Sequence, residues 1–208
     1  MCIRDRYNRR LHSGQGNYIV LDNVRAGYDL TRHLLDLGHR RIGIIAGHRE
    51  FSTAADRLKG YRKALRAAAI PVDPSLFRTG ALRVQMATRA AEELLNLPRR
   101  PTAIIARNDL MAMGVIQAAG DLGLQVPKDL AVVGFDDIEI AAHREIQLTT
   151  VAQQKSEMGR LAATWILEII RDPRRFMREP VQHILAPTLV IRRTCGSLAQ
   201  PVSIVKRS

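Results

Sequence analysis

Residues 41–47, Arg-Ile-Gly-Ile-Ile-Ala-Gly, are the stretch that decides the fold of this chain. After Arg41 the run is apolar or small throughout, and it lacks the polar alternation of a half-exposed strand, so it predicts a short strand covered on both faces. Two similar runs follow along the chain, Thr102–Ala106 and Leu130–Phe135, and a shorter one, Tyr18–Leu21, precedes it. Buried strands of this kind are typical of parallel sheets, so Ile42–Ala46, Ala103–Ala106 and Ala131–Gly134 are predicted to be interior strands of one parallel sheet.

Segments with helical periodicity separate these strands. The first is expected to start at Asp22–Asn23 and to end at Gly38, with Leu30, Leu34, Leu35 and Leu37 on its buried side. The other predicted helices cover about residues 55–69, 84–95, 109–122 and 156–170, and Val181–Ile191 is predicted to be a final extended segment. Strands that alternate with helices of this length predict right-handed crossovers and a parallel sheet with helices on both faces. The predicted fold is therefore α/β and doubly wound.

Polar residues follow three of the predicted strands. They are His48–Thr53 with Arg57 nearby, then Arg107–Asp109, and then Asp136–Asp137. In a doubly wound sheet the carboxyl ends of the strands form the ligand site, so these side chains are expected to converge. Taken singly, Ser52, Asn108 or Asp109, and Asp136 also fit ordinary helix N-caps. Taken together, an arginine, an asparagine and an aspartate suit a polyhydroxylated or heterocyclic ligand.

Charge is unevenly distributed along the chain. The formal net charge is +12, and residues 1–100 hold 19 basic and 9 acidic residues against 13 and 11 in residues 101–208. The basic residues occur singly or in pairs, which favours solvated helix faces over a nucleic-acid surface. Aromatic residues make up only 4% of the chain, so platforms for stacking single-stranded bases are few.

Motifs of common enzyme classes are absent from the sequence. It contains no GxGxxG, GxSxG or HExxH, and Gly43–Gly47 is followed by His-Arg where a phosphate loop needs Lys and Ser or Thr. Asp136–Asp137 alone does not make a magnesium site, and Cys2 and Cys195 form no metal or disulfide pattern. The chain is therefore predicted to be neither an enzyme nor a holder of a metal or cofactor. Its charged start and short apolar runs predict a cytoplasmic protein with no membrane span.

Six blocks of sequence resemble the lactose-repressor (LacI-type) family of bacterial transcription regulators, from about residue 8 to residue 194. The blocks are Val20–Asn23, His33–Gly47, Arg57–Leu65, Pro101–Gly114, Val126–Asp137 and Leu148–Val151. They keep the order and approximate spacing of the family. The resemblance implies an effector-binding core shaped like a periplasmic binding protein, with two lobes and a cleft between them.

The resemblance also implies a set of ligand-binding residues, namely Arg57, Asn108, Asp136, Phe51, Ser52, Thr53 and Gln153. In this set Arg57 is expected to bind ligand hydroxyls or a ring edge, Asn108 to hydrogen-bond the ligand, and Asp136 to accept a hydrogen bond from it. Phe51 to Thr53 are expected to line the cleft, and Gln153 to lie at the crossover between the lobes.

A division into lobes follows from the same resemblance. Residues 1–6 are expected to be a non-native start, 7–38 and 152–172 a remnant of an incomplete amino-terminal lobe, 39–151 and 173–195 the carboxyl-terminal lobe, and 196–208 a tail. The helix-turn-helix head of the family does not precede these residues, so the chain is interpreted as truncated. The intact protein is expected to be a homodimer that senses a sugar-like effector and contacts operator DNA only through that head. These 208 residues alone are thus predicted to show no sequence-specific DNA binding.

Two alternatives share the predicted fold. One is a solute-binding protein of a transport system, which would require export, and the other is an α/β enzyme acting on sugars. In-frame upstream sequence would separate the main alternatives, since a helix-turn-helix indicates a regulator and a signal peptide indicates a binding protein.

Overall fold

A computed structural model describes residues 6–8, 16–48, 50–79, 83–172 and 180–196. Its strands are β1 Arg6–Tyr7, β2 Tyr18–Leu21, β3 Ile42–Ala46, β4 Phe77–Thr79, β5 Ala103–Ala106, β6 Ala131–Val133, β7 Thr150–Ala152, β8 Gln182–Leu185 and β9 Thr188–Val190. Its α-helices are α1 Asn23–Asp36, α2 Ser52–Ala67, α3 Val84–Leu95, α4 Asp109–Asp121 and α5 Lys155–Arg171. Most of the predicted residues 1–6 start, residues 173–179, and all but the first residue of the predicted tail lie outside the described residues.

A four-stranded parallel sheet forms the centre of the fold, in the order β4-β3-β5-β6. The predicted parallel pairing of the three apolar runs is confirmed. The prediction that all three are interior strands is correct for β3 and β5 only, because β6 is the last strand of this sheet. Its free side is covered by the segment that leads into β7, through hydrogen bonds from Gly134 N–H to the Thr149 carbonyl and from Asp136 N–H to the Val151 carbonyl.

Helices cover both faces of this sheet, as a doubly wound fold requires. One face carries Ile42 and Ile44, which pack with residues of α1 and α2 in one core cluster. The opposite face carries Ile45 and Ile104, which pack with residues of α3 and α4 in a second cluster. Alternate residues of each strand therefore enter different cores, which explains why the strands lack polar residues.

The first two helices approach each other unusually closely. A Cβ atom on Gly60 would lie 2.1 Å from the carbonyl oxygen of Val24, and one on Gly27 would lie 2.3 Å from the carbonyl oxygen of Arg57. Glycine is therefore required at both positions to let the two backbones pack. This contact fixes α2, and Arg57 with it, against the start of α1.

The last extended segment is divided between two sheets instead of forming one strand. Strand β8 pairs in parallel with β2 in a three-stranded sheet of order β1-β2-β8, whereas β9 pairs antiparallel with β7. The predicted span Val181–Ile191 is therefore broken at residues 186–187. Residues 186–187 connect β8 in one sheet to β9 in the other.

The packing of α1 and β8 differs from the predicted division into lobes. Residues 7–38 were assigned together to the amino-terminal lobe, yet α1 packs on α2 beside the four-stranded sheet. Residues 173–195 were assigned to the carboxyl-terminal lobe, yet β8 pairs with β2. Helix α1 thus contributes its buried leucines to the core of the larger sheet.

Smaller differences concern the ends of elements. Helix α2 begins at Ser52, three residues before the predicted start, and β4 was not predicted because its partly exposed residues carry no strong apolar pattern. Leu37 was predicted to be buried, but it follows the last turn of α1 and is exposed.

Candidate ligand-binding site

A cavity of about 150 Å³ lies at the carboxyl ends of β3, β5 and β6. The residues that line it include nine with polar or charged side chains: Asn8, Thr31, Thr53, Arg57, Tyr61, Arg107, Asn108, Asp136 and Gln153. The apolar part of its wall includes Phe51 and Phe135. The strand ends selected by the topology of the sheet therefore do meet around one cavity, which is the expected place for a ligand in such a fold.

Arg57 is the most firmly held polar side chain of the cavity. Its Nε donates to Asn23 Oδ1 at 2.8 Å and its Nη1 donates to the carbonyl oxygen of Arg107 at 2.9 Å. Its Cζ lies 3.3 Å from the centroid of the Phe135 ring, so the guanidinium stacks on the aromatic face. Burial lowers the pKa of Arg57 to about 10, while the attraction of Asp136 acts in the opposite direction. The side chain is therefore cationic at neutral pH.

Asp136 is the acceptor opposite this arginine. Its Oδ1 lies 3.9 Å from Arg57 Nη2 and accepts a hydrogen bond from Gln153 Nε2 at 2.5 Å. Asp136 and Asp137 both have positive φ, 111° and 47°, an uncommon conformation for residues other than glycine. Asp137 points elsewhere and pairs with Arg192 Nη2 at 2.8 Å. The two adjacent carboxylates thus serve different partners.

Asp109 fixes the loop that carries Asp136, although it does not line the cavity. It is fully buried. Its Oδ1 accepts from the Thr150 hydroxyl at 2.6 Å, its Oδ2 accepts from Ile138 N–H at 2.9 Å, and its own N–H donates to the Phe135 carbonyl at 2.9 Å. Burial raises the pKa of Asp109 to about 6, although the hydrogen bonds from Thr150 and Ile138 lower it. Sequence analysis placed this residue among the polar groups at the strand ends and gave it as a possible helix cap, but not as a ligand-binding residue.

Asn108 serves as both a helix cap and a cavity residue. It is the N-cap of α4, where its Oδ1 accepts from Met111 N–H at 3.0 Å, and it also lines the cavity. Within the described part of the chain, its amide nitrogen Nδ2 donates to no other side chain or carbonyl. Asn108 therefore lines the cavity with a donor that the described residues do not use.

The three residues at the start of α2 differ in their exposure to the cavity. Phe51 and Thr53 line it, whereas Ser52 is buried at the first position of the helix and is not among the lining residues. The structure therefore brings six of the seven predicted site residues to the cavity and leaves Ser52 behind its wall.

Sequence analysis missed Asn8, which closes the cavity from the side of β1. Its Oδ1 is buried, and the described residues provide no hydrogen-bond partner for it. Its backbone has a positive φ of 57°, and its N–H donates to the Ile19 carbonyl at 2.9 Å. A buried acceptor without a partner is unfavourable, so a ligand hydroxyl or amine at this position would satisfy it. A residue next to a two-residue strand carries no pattern by which the sequence alone could identify it.

Among the residues that the structure describes, no three His, Cys, Asp or Glu side chains are grouped as metal ligands would be. No described helix combines the length and the apolar character needed to cross a bilayer.

Residues 31–195 match the family model described as a periplasmic binding protein-like domain. The chain is 37% identical over 180 residues to the ribose operon repressor of Haemophilus influenzae, an alignment that covers 86% of this chain and 53% of that relative. Among solved structures, the complex of transcriptional regulator CelR with cellobiose has a TM-score of 0.84 and 34% identity, covering 91% of this chain and 58% of that one. A regulatory protein of the LacI family from Chloroflexus aggregans has a TM-score of 0.79 and 32% identity, covering 86% and 64%. The chain spans about half the length of the curated relatives it matches.

Proposed function

Because this chain belongs to the periplasmic binding protein-like effector domains of the LacI-type transcription regulators, we propose that its cavity binds a small polyhydroxylated or heterocyclic effector. The cationic Arg57, fixed between Asn23, the Arg107 carbonyl and the Phe135 ring, is the observation that carries this proposal. Because the guanidinium is already held in place, its remaining N–H groups can bind a ligand with little further loss of side-chain entropy, which favours binding.

The polar groups of the cavity complement such a ligand from two sides. Arg57, Asn108 and Asp136 lie at the ends of the larger sheet, whereas Asn8 and Gln153 lie at the ends of β1 and β7. A ligand with several hydroxyl or ring-nitrogen groups can hydrogen-bond both sets together. Two similar proteins are associated with sugars: the CelR structure is a complex with cellobiose, and the Haemophilus influenzae relative is named a ribose operon repressor.

This arrangement suggests how binding could be transmitted. The hydrogen bond from Gln153 to Asp136 already links the two sides of the cavity. A ligand that contacts both sides would bind most tightly to one arrangement of β1 and β7 relative to the larger sheet. Such a difference in ligand affinity between two arrangements is what couples a ligand site to a distant site. In the whole protein we propose that this coupling alters the affinity of a dimer for operator DNA, in the cytoplasm, and that the effect is repression.

Isothermal titration calorimetry of the 208-residue chain against a panel of sugars and nucleosides, including ribose and cellobiose, tests the proposal. We expect at least one member to bind, and Arg57→Ala to weaken that binding by about 10- to 150-fold, since a buried hydrogen-bonding charge contributes about 1.5–3 kcal/mol. Arg25→Ala is the matched control, because Arg25 is exposed on α1 and pairs with Asp29 on the same helix.

A loss of folding in Arg57→Ala would be detected by thermal unfolding, and Asp136→Asn provides a second variant of nearly unchanged shape. Equal affinities in wild type, Arg57→Ala and Asp136→Asn would contradict the assignment of the site. Binding of no member of the panel would contradict the proposed effector class.

A further inference from the structure

Arg107 is a second arginine that lines the same cavity as Arg57, and its Nε lies beside Gly47, another lining residue. We propose that the effector carries an anionic group, a carboxylate or a phosphate, and that Arg107 is the residue that selects for it. This inference rests on the proposed function and narrows its ligand class. It is drawn from the position of Arg107, from the charge balance of the cavity, and from the helix that begins at its wall.

The position of the Arg107 side chain is fixed by a glycine. Arg107 follows β5, and its side chain crosses the backbone at Gly47, which follows β3. A Cβ atom on Gly47 would lie 2.7 Å from Arg107 Nε and 3.0 Å from Arg107 Cδ, closer than packed atoms allow. Glycine at this position therefore leaves the space through which the arginine reaches the cavity.

The charges in the cavity wall do not balance. The charged side chains that line it, among the residues described, are Arg57, Arg107 and Asp136. Asp136 is already contacted by Arg57 and by Gln153. Tyr61 also lines the cavity but stays neutral, because burial raises its pKa to about 12 and its hydroxyl donates to the Ile42 carbonyl. Over these lining side chains the charge is therefore one positive unit, while the buried Asp109 behind the wall also attracts Arg57.

Two guanidinium groups in one small cavity repel each other. This repulsion is one of the causes that lower the pKa of Arg57, after burial. An anionic group between them would remove the repulsion and accept hydrogen bonds from both, and guanidinium groups match carboxylate and phosphate oxygens in geometry. A neutral sugar offers no compensation for the extra charge.

The amino-terminal end of α2 adds to the same field. Its N-cap residue, Phe51, makes no side-chain capping hydrogen bond, and Thr53 and Ala54 of its first turn line the cavity. The start of a 16-residue helix carries a partial positive charge, which favours an anion nearby. This field acts together with the two arginines and would not define a site without them.

Calorimetry with matched ligand pairs tests the inference on the full chain. Each neutral compound is paired with its anionic forms: ribose with ribose 5-phosphate and ribonate, glucose with glucose 6-phosphate and gluconate, and adenosine with adenosine monophosphate. We expect an anionic member to bind at least about 10-fold more tightly than its neutral partner, since hydrogen bonds to charged groups contribute about 1.5–3 kcal/mol. The phosphate and carboxylate arms identify which anion the cavity prefers.

Substitutions then assign the preference to Arg107. We expect Arg107→Gln to reduce the ratio of anionic to neutral affinity to near one, and Arg107→Lys to restore part of it because the charge returns without the planar fork. Gly47→Ala should also reduce the ratio by displacing Arg107, whereas Gly120→Ala, whose Cβ would meet no atom within 4 Å, serves as its control. Arg66→Gln, on the exposed face of α2, controls for net charge.

Each outcome bears on one proposal or on both. An anionic preference that Arg107→Gln removes would support the inference. Tight binding of a neutral compound with no gain from its anionic forms would overturn it and leave the proposed function intact, as would an anionic preference that persists in Arg107→Gln. Binding of neither class would overturn both proposals.

Discussion

The two parallel sheets of this chain are built from similar strands, but their apolar residues are covered to very different extents. Every residue of β3, β5 and β6 is buried, and helices pack on both faces of that sheet. In the smaller sheet β2 is buried, yet three of the four residues of β8 are exposed. Helix α5 beside it has one buried residue, Met158, and leaves Ile166, Leu167 and Ile170 exposed.

The two regions therefore differ in how much hydrophobic burial stabilises them. The larger sheet and its four helices bury their own apolar residues, so hydrophobic burial accounts for their packing. The apolar face of α5 gains no comparable burial within the described residues, so that helix contributes less to stability than its sequence would suggest. Substitutions in the two regions are therefore expected to have unequal effects.

The largest difference is expected from one isoleucine in each region. Ile104 in β5 is fully buried, whereas Ile170 in α5 is 70% exposed. We expect Ile104→Ala to lower the free energy of unfolding by about 2–5 kcal/mol, and Ile170→Ala by less than about 0.5 kcal/mol. Urea denaturation measures both, and a comparable loss in the two variants would refute the contrast.

Two helical glycines, one in each region, are expected to respond in opposite ways to replacement by alanine. Gly60 in α2 faces the backbone of α1, so Gly60→Ala should force the helices apart and cost about 1–3 kcal/mol or more. A Cβ on Gly159 in α5 would meet no atom within 4 Å, so Gly159→Ala should instead stabilise the protein by about 0.5–1 kcal/mol. Thermal unfolding should therefore show shifts of opposite sign. A stabilising Gly60→Ala would mean that the contact between the helices is not tight.

A smaller, pH-dependent effect is expected at Asp109, in the better covered region. Because its pKa is raised to about 6, the folded state binds more protons than the unfolded state between about pH 4 and 6. Stability from this group is thus lost as the pH rises through that window. Relative to Asp109→Asn, the wild-type protein should gain about 1 kcal/mol of unfolding free energy between pH 7 and pH 5.

Urea denaturation of both proteins at pH 5, 6 and 7 measures this difference, and the comparison cancels the titration of other carboxylates. The asparagine can still accept from Ile138 N–H and can donate to Thr150 Oγ1, so the loop should stay in place. Parallel pH profiles for the two proteins would rule out a raised pKa at Asp109.

Sequence patterns anticipated most of the better covered region. The runs that became β3, β5 and β6 were recognised because burial on both faces excludes polar residues, and that requirement acts on each strand locally. Arg57, Asn108 and Asp136 were found because the carboxyl ends of parallel strands lie at one edge of a sheet. The resemblance to LacI-type regulators, which the family match confirmed, pointed to the same three residues.

What the sequence missed depends on contacts between distant residues. Asn8 lies beside a two-residue strand, Ser52 turned out to lie behind the cavity wall, and the segment 181–191 was divided between two sheets. None of these outcomes follows from periodicity, because each is decided by which element packs against which.

By itself the sequence determined the alternation of strands and helices, the parallel pairing of the central strands, and the edge at which polar side chains gather. These properties follow from local patterns of burial and from the handedness of the connections. Only the tertiary structure decided that Arg57 stacks on Phe135, that Asp109 holds the loop of Asp136, and that Gly47 makes room for Arg107. Each of these contacts joins residues that lie 29 to 78 positions apart in the chain, so their geometry exists only once the sheet and its helices have assembled.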